Sequence, residues 1–563
     1  MNQALFVSPQ LMTMTGLDVG ANADARHRLD DHSPAGLARM QAVFKDLGRE
    51  LARFEPETLT ATDLINYRTA DYLVETTLKS YTFPYGEPGV GSLPYVLSQL
   101  NGSYRSTPSF LANQHPVETR EDAEAYLSRL AAFDTALDQE SERARGDFAN
   151  GASPPDFILR RTIEQLGNML APAAEESELV SALSERAISK NIAGDWTARA
   201  ARIVEGEVYP AMRRQLALLE EAIPSAPHEA GCWRLPDGES YYRFAVRSFT
   251  TTDMTGPQIH ALGLDLVGKL TGEADTILTA QGMTRGSVAE RLAALRRDPR
   301  QLYPNDDAGR ARLIDDANAM AKSMQARLSD YFGTLPRAPV IIQRVPPAIE
   351  AGAPGGYYEP PTLDGQRPGR FYINLRDMGE MAKFDLPTLV YHEVVPGHHL
   401  QNALNLEAKG VPLMRQMPPF SSFSEGWALY AEQRADERGV YAADPLGRLG
   451  YVASLLFRAA RLVLDSGLHY QRWSREKAVR YMVDTLGEDE ATAITEVERS
   501  CVEPVPPSSY MLGQQVWTRA REAAQRRLGS RFDLRSFHDA GLLAGSMPLA
   551  VLETHLANWA SSR

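Results

Sequence analysis

Residues 391–401, YHEVVPGHHLQ, open like a zinc-binding helix and then depart from that pattern. Helices of the H-E-x-x-H type place two histidines one turn apart on one face, with a glutamate between them for proton transfer. Here the position four residues after His392 is Pro396. The stretch therefore predicts a metal site only if its helix is interrupted.

A regular helix would not bring a later histidine back to His392. At about 100° per residue His398 lies on the opposite face, and His399 lies about 10.5 Å further along the axis. Pro396 lacks an N–H and clashes with the carbonyl four residues earlier, and Gly397 accepts backbone conformations closed to other residues. We read this pair as a two-residue insertion. His392 and His398 are then the ligands and His399 is a supporting neighbour, although a different bulge would exchange the last two.

A third ligand is expected from a nearby helix. The segment FSEGWALYAE at 423–432 offers Glu425, after a loop that lets the chain return beside the histidines. Two His and one Glu leave a position open for water, as in catalytic Zn²⁺ sites, and Glu393 is placed to take a proton from that water. Glu425 could instead cap a helix start. The crowded histidines favour the metal, because such a face is costly to bury unless something binds it.

The amino-acid composition and net charge limit the classes of partner that the protein is expected to bind. The 563 residues are 43% hydrophobic and 23% charged, near the average for globular proteins. The formal net charge of −13 gives no basic excess to displace counterions from nucleic acid, so a nucleic-acid partner is not expected. The two cysteines form at most one bridge, so disulfides do not hold the fold together.

The sequence predicts a mainly α fold with a small β-sheet beside the site. Apolar residues recur at helical spacing through much of the chain. A Pro-Asp-Gly turn within 229–252 predicts a short hairpin, and Phe371 to Leu375 predicts an edge strand that holds an extended substrate. We expect residues 1–563 to form one enzyme unit, with an N-terminal helical part at 1–228 and a catalytic part at 229–563.

The N-terminus and the length of the apolar runs indicate where in the cell the protein is expected. The N-terminus lacks a basic start followed by an apolar run of signal-peptide length, and no run of about 18 apolar residues occurs. We expect no membrane partner and a cytoplasmic location, although a leader missing from the sequence would leave the same pattern. The sequence does not indicate an oligomeric state.

The chain resembles the bacterial family called domain of unknown function 885, whose members look like gluzincin metallopeptidases. The likeness spans nearly the whole sequence. It rests on HEVVPGHHLQ (392–401), FSEGWALYAE (423–432), RAARLVLDSGLHYQRWS (458–474), GGYYEPPTLDGQRPGRFYINL (355–375) and TTTDMTGPQIHALG (250–263). The resemblance implies a helical, neurolysin-like body with a deep cleft. One block departs from the family pattern, because Ser500 stands where members tend to have Tyr.

Hydrolysis of a peptide bond also needs a donor for the oxyanion. His469 is the first candidate, since Asp465 lies one helical turn before it and is able to orient its ring. Tyr510 is the second candidate. The competing interpretation of the Asp465–His469 pair is a solvent-facing pair without a catalytic role.

Several further side chains are candidates for substrate binding. Arg461 and Arg499 are able to bind a substrate carboxylate with two hydrogen bonds, although an Arg in such a place more often closes a structural ion pair. The remaining candidates are aromatic or amide side chains in or near the predicted strand: Tyr357, Tyr358, Tyr372 and Asn374. For Tyr357 and Tyr358, packing is the alternative.

Three functions remain open from the sequence. The first is a zinc-dependent peptidase acting on short peptides. The second is a zinc hydrolase of another amide or an ester on the same scaffold. The third is a helical binding protein with a structural or degenerate motif. Glu393 distinguishes the binding protein from the two hydrolases, because a protein with a degenerate site would have no reason to retain a carboxylate beside the first ligand.

Overall fold

The computed structural model describes residues 6–347, 350, 355–362, 367–416 and 420–563. Helices dominate this part of the chain, which confirms the predicted mainly α class. The helices are α1 (Pro9–Met14), α2 (Pro34–Leu51), α3 (Ala61–Ser80), α4 (Ser103–Asn113), α5 (Arg120–Ala131), α6 (Phe133–Ala149), α7 (Asp156–Leu170), α8 (Glu178–Ser189), α9 (Trp196–Ile203), α10 (Tyr209–Ala222), α11 (Gly238–Thr250), α12 (Gly256–Ala280), α13 (Val288–Arg296), α14 (Asp307–Gln325), α15 (Leu386–Glu393), α16 (His398–Glu407), α17 (Leu413–Gln416), α18 (Ser421–Glu437), α19 (Pro445–His469), α20 (Arg475–Leu486), α21 (Glu490–Val502), α22 (Pro506–Leu528), α23 (Leu534–Leu542) and α24 (Leu549–Ser561). The strands are β1 (Val340–Arg344), β2 (Gly356–Glu359) and β3 (Gly369–Ile373).

The chain divides into two compact units. The first comprises Met1–Glu55, Ala70–Phe244 and Cys501–Glu503, and the second comprises Pro56–Thr69, Ala245–Ser500 and Pro504–Arg563. The histidine motif, the sheet and all the predicted site residues belong to the second unit. The predicted parts at 1–228 and 229–563 stay a prediction, as does the neurolysin-like body that the resemblance implies.

Each unit has its own buried core. In the first unit, helices α5 to α10 bury Tyr126, Phe133 and Met212 in one apolar cluster. In the second unit, Trp427 and Trp517 pack edge to face with ring centroids 5.0 Å apart. None of the described helices is long and apolar enough to cross a membrane.

The hairpin predicted within 229–252 is wrong. The Pro-Asp-Gly turn is present, but it leads into helix α11. The aromatic and apolar residues that suggested strands occupy one helical face instead, where Tyr241, Tyr242, Ala245 and Val246 are buried. Spacings of one, four and five residues fit a helix better than the strict alternation of a half-buried strand.

The sheet contains the predicted strand, but the strand is central and not at the edge. Its order is β1-β3-β2, with β3 parallel to β1 and antiparallel to β2. The expectation that an extended substrate pairs with Phe371 to Leu375 is therefore wrong, because the backbone of β3 is already paired on both sides. Strand position depends on partners elsewhere in the chain, which a local β-rich pattern does not reveal.

Candidate metal centre

The predicted interruption of the histidine helix is present. Helix α15 ends at Glu393 and helix α16 begins at His398. A Cβ at Gly397 would lie 1.8 Å from the carbonyl oxygen of His392, so the chain approaches itself too closely for any other residue. The indole Nε1–H of Trp427 donates to the carbonyl oxygen of Pro396 at 3.0 Å, which joins the break to helix α18.

The break brings the predicted ligands together. Nε2 of His392 lies 3.5 Å from Oε2 of Glu425, and Nε2 of His398 lies 3.2 Å from the same oxygen. The side chains of His392, Glu393 and His398 also offer one ligand atom each within 4.8 Å of one another. Two imidazoles and two carboxylates thus face one point in the second unit.

The donor set fits zinc. Two His nitrogens and a carboxylate oxygen are the ligands of thermolysin-type catalytic sites. Oε2 of Glu425 is buried and has no hydrogen-bond partner among the described residues, although it lies close to both imidazoles. A buried carboxylate oxygen without a donor is costly, and a cation held by Glu425 and the two histidines would satisfy it.

A buried glutamate that the sequence analysis missed completes the arrangement. Nδ1 of His392 lies 2.7 Å from Oε1 of Glu432, and a carboxylate there accepts the Nδ1–H. Because Nδ1–H is held by Glu432, Nε2, which faces Glu425, is the nitrogen that would give up its proton to bind a metal. Glu432 lies seven residues after Glu425, which is two turns along the same face of α18. That spacing within FSEGWALYAE was the available signal.

The charges around the histidines favour a cation. Burial lowers the pKa of His392, but the carboxylates of Glu425 and Glu432 outweigh it and raise this pKa to about 10. Burial likewise opposes the charge on Glu425, but the neighbouring His398 and His392 hold the pKa of its carboxyl well below the usual range. The cluster therefore stabilises positive charge, as a protonated imidazole or as a metal ion.

Tyr510, the second candidate for the oxyanion donor, lies against the cluster. Its ring stacks on His392 with centroids 6.3 Å apart and planes at 14°. The charge of Glu425 is the main reason why the pKa of the Tyr510 hydroxyl lies above its usual value, and burial adds to it. A close crossing of α18 and α22 brings these groups together, since a Cβ on Gly426 would lie 2.4 Å from Cα of Gly513.

His399 points away from the ligands. Its Nε2 lies 3.0 Å from the carbonyl oxygen of Ala338, and its Nδ1 lies 2.9 Å from the hydroxyl of Tyr358. Because a carbonyl oxygen only accepts, Nε2 carries the proton and the Tyr358 hydroxyl donates to Nδ1. Burial lowers the pKa of His399 to about 4, so the ring stays neutral. Of the two histidines, His398 is the one that faces Glu425.

The other candidates on the sheet have structural partners. Tyr357 and Tyr372 are opposite each other on β2 and β3, with rings stacked 4.9 Å apart. Nδ2 of Asn374 donates to the carbonyl oxygen of Glu350 at 2.8 Å. Tyr358 lies nearer to the cluster, since the charge of Glu393 contributes, after burial, to a raised pKa of its hydroxyl. Substrate binding by these residues stays a prediction.

His469 and Asp465 are both buried. Nε2 of His469 lies 2.9 Å from the carbonyl oxygen of Ser500, and the nearest Asp465 oxygen is 3.9 Å away, longer than a hydrogen bond. Asp465 instead accepts the backbone N–H of Val505 at 2.6 Å. The solvent-facing alternative is therefore wrong, and a role of His469 at the oxyanion stays a prediction with less support than that of Tyr510.

Arg461, one of the two predicted arginines, has its guanidinium 5.7 Å from the ring centroid of Tyr510. Arg461 forms a buried ion pair with Glu496 through two contacts, Nε to Oε1 at 2.6 Å and Nη2 to Oε2 at 2.8 Å. The charge of Arg499 contributes, after burial and Arg461, to the lowered pKa of Glu496. Arg461 thus closes a structural ion pair, the alternative that the sequence left open.

Comparisons with known proteins agree with this architecture. A family model described as "Bacterial protein of unknown function (DUF885)" matches residues 9–556. A solved "putative lipoprotein" from Colwellia psychrerythraea is 33% identical, has a TM-score of 0.92, and is aligned over 100% of this chain and 98% of its own. A second solved "putative lipoprotein of unknown function", from Shewanella oneidensis, is 17% identical with a TM-score of 0.76, over 99% of this chain and 98% of its own, and shows a shared fold alone. No curated protein matches the chain.

Proposed function

Since this chain belongs to the DUF885 family of bacterial proteins of unknown function, we propose an activity from its own site: zinc-dependent hydrolysis of peptide bonds in short peptides. The observation that carries this proposal is the convergence of His392, His398 and Glu425 on one point, with Glu393 beside them. A zinc ion would be held by the two Nε2 atoms and the Glu425 carboxylate. When bound, zinc supplies Lewis acidity, which polarises a carbonyl and makes a water easier to deprotonate.

The protein side chains would handle the protons and the developing charge. Glu393 takes the proton of the attacking water and passes it to the amine nitrogen when the C–N bond breaks. Tyr510 donates a hydrogen bond to the oxyanion, since its raised pKa keeps the hydroxyl protonated. Tyr358 is less suited to this step, because its proton is already donated to His399. Glu432 holds His392 in the tautomer that leaves Nε2 free to bind.

A peptide substrate is favoured by the sheet beside the site. Within the described ranges, strand β2 pairs only with β3, so β2 has the edge to which an extended chain could add. This strand carries Tyr358, whose hydroxyl is influenced by the charge of Glu393. A peptide paired with β2 would therefore lie near the general base, which replaces the earlier expectation for β3.

Metal analysis combined with one substitution tests the proposal. We expect the purified protein to bind zinc and to hydrolyse members of a short-peptide mixture. Glu393→Gln should retain zinc but lose hydrolysis by roughly 10²–10⁴-fold, the usual contribution of a general base. Glu185→Gln, the same change at an exposed position of α8, should leave both unchanged. A wild-type protein that binds no zinc, or a Glu393→Gln variant that is fully active, would contradict the proposal.

The relatives also bear on location. The solved relative from Colwellia psychrerythraea is named a "putative lipoprotein", which supports a place in the cell envelope over the cytoplasmic location expected from the sequence. Fractionation of the bacterium, with detection of the native gene product, checks this. Recovery in the cytoplasmic fraction alone would favour the earlier expectation.

A further inference from the structure

We propose that Arg458 binds a carboxylate of the substrate, so that the site acts on peptides that carry a free carboxylate near the bond to be cleaved. This inference rests on the proposed hydrolase function and names its substrate class. It assigns to Arg458 the task that the sequence had suggested for Arg461 and Arg499.

A short series of contacts places Arg458 beside the metal ligands. Its Nη1 donates to Oγ of Ser454 at 2.8 Å, and Ser454 Oγ donates to Oε2 of Glu432 at 3.3 Å. The other oxygen of Glu432 contacts His392 at 2.7 Å. The guanidinium of Arg458 also lies 5.9 Å from the ring of Tyr510, which stacks on His392. Arg458 is thus linked to the ligand cluster through two different neighbours.

The free edge of Arg458 points to an anionic partner. Its Nε is buried and has no hydrogen-bond partner among the residues that the structure describes. In the same part of the chain no carboxylate forms an ion pair with it, whereas its neighbour Arg461 binds Glu496 through Nε and Nη2. The matching Nε–Nη2 edge of Arg458 makes no hydrogen bond to the described residues, and its geometry fits the two oxygens of a carboxylate.

Three guanidinium groups lie close enough to Glu496 to act on its charge. Arg458, Arg461 and Arg499 all lower the pKa of Glu496, after burial, which opposes them. Glu496 forms its ion pair with Arg461. A substrate carboxylate at Arg458 would balance the charge of this guanidinium while satisfying the buried Nε.

Two carboxylates have the required chemistry, the free C-terminus of a peptide and the side chain of an acidic residue. Three probe peptides distinguish them: Ala-Ala-Ala with a free C-terminus, its C-terminal amide, and Ala-Glu-Ala amide. Binding is measured by titration calorimetry with the zinc-loaded Glu393→Gln protein, which should not turn the peptides over. We expect one or both carboxylate peptides to bind on the order of 10- to 100-fold more tightly than the neutral amide.

Substitution of Arg458 in the same background shows whether this preference depends on it. Arg458→Gln should reduce the affinity ratio of carboxylate to amide peptide to about 1, and Arg458→Lys should restore only part, because an ammonium lacks the planar fork. Arg480→Gln removes the same charge at an exposed position of α20 and should leave the ratio unchanged. Circular dichroism and zinc content confirm that each variant is folded and loaded.

The outcomes separate this inference from the proposed function. Equal binding of all three peptides to the Glu393→Gln protein, or an unchanged ratio after Arg458→Gln, would overturn the role of Arg458. Because the readout is binding, it stands whether or not the wild type hydrolyses peptides. Absence of hydrolysis with a preserved carboxylate preference would overturn the peptidase proposal and leave Arg458 as the carboxylate site.

Discussion

At the scale of single residues, His392 has two ring nitrogens with different tasks. Nδ1 contacts Glu432 at 2.7 Å and Nε2 faces Glu425 at 3.5 Å. The Glu432 side chain is fully buried, so its charge acts on His392 with little screening by water. Glu432 therefore fixes which nitrogen loses its proton when a metal binds.

Glu432→Gln tests this orientation. An amide retains the shape but loses the charge, and its NH₂ group competes with its oxygen for the position facing His392. We expect zinc affinity to fall about 10- to 100-fold, the usual cost of losing such a partner. Competition with a chromophoric chelator measures this, with Glu185→Gln as the matched control. Unchanged affinity would show that His392 is oriented by other contacts.

The site residues that the sequence could predict lie in recognisable motifs, chiefly 392–401 and 423–432. His392, Glu393 and His398 lie within seven positions, and a proline marks the break between them. The choice between His398 and His399 needed the fold, because the partners of His399 are Tyr358 and Ala338, distant in sequence. Arg458 was not singled out for the same reason, since its neighbour Tyr510 lies on another helix.

At the scale of elements, the site is positioned by the crossing of two helices that meet at glycines, which have no side chains. A Cβ on Gly513 would lie 2.1 Å from the carbonyl oxygen of Ser422 and 2.6 Å from Cα of Gly426. Helices α18 and α22 therefore touch through their backbones. Glu425 directly precedes one glycine and Tyr510 lies three residues before the other, so the distance between the helices sets the distance between a ligand and the oxyanion donor.

Gly513→Ala should force these helices apart. The obstructing atoms belong to the backbone, so no side chain is able to rotate away, and we expect a loss of about 1–3 kcal/mol in the free energy of unfolding. Urea unfolding measures this. Gly268→Ala is the control: position 268 lies within α12, where a Cβ meets nothing within 4 Å, so stability should rise by about 0.5–1 kcal/mol. A neutral Gly513→Ala would show that the crossing is adaptable.

Elements were predicted with unequal success. Helices were predicted well, because their hydrogen bonds and periodic apolar faces are local. Two features were misread for the opposite reason: the segment after the Pro-Asp-Gly turn, which forms α11, and the position of β3. An aromatic-rich face fits either a helix or a strand, and a central position in a sheet depends on strands β1 and β2 from other parts of the sequence.

At the scale of the whole molecule, binding of a metal ion should stabilise the folded state against unfolding. The proposed ligands come from α15, α16 and α18, which are brought together only in the folded chain. Zinc at 100 times its dissociation constant should then stabilise the folded state by about 2.7 kcal/mol. We expect thermal unfolding to shift upward with added zinc in the wild type, and the shift to disappear in Glu425→Gln. An equal shift in both proteins would mean that zinc binds elsewhere.

Acid should destabilise the protein through a buried histidine outside the site. Ring nitrogens of His538 lie 2.8 Å from the carbonyl oxygen of Tyr331 and 2.9 Å from the hydroxyl of Tyr430. Burial lowers the pKa of His538 from 6.5 to about 3, with nearby arginines adding to the effect. The unfolded chain binds a proton below about pH 6.5 that the folded protein does not, so this part of the stability is lost as the pH falls from about 6.5 towards 3.

His538→Gln isolates that contribution. At pH 7 the variant should be less stable than the wild type, because the packing of His538 against Trp427, with ring centroids 5.5 Å apart, is lost. Between pH 7 and pH 5 the difference should shrink by about 2 kcal/mol, since only the wild type has an unfolded-state proton to gain at this position. Urea unfolding followed by tryptophan fluorescence at both pH values measures the two differences. A difference that stays constant would mean that His538 is protonated in the folded protein, with its Tyr331 and Tyr430 contacts rearranged to accept the charge.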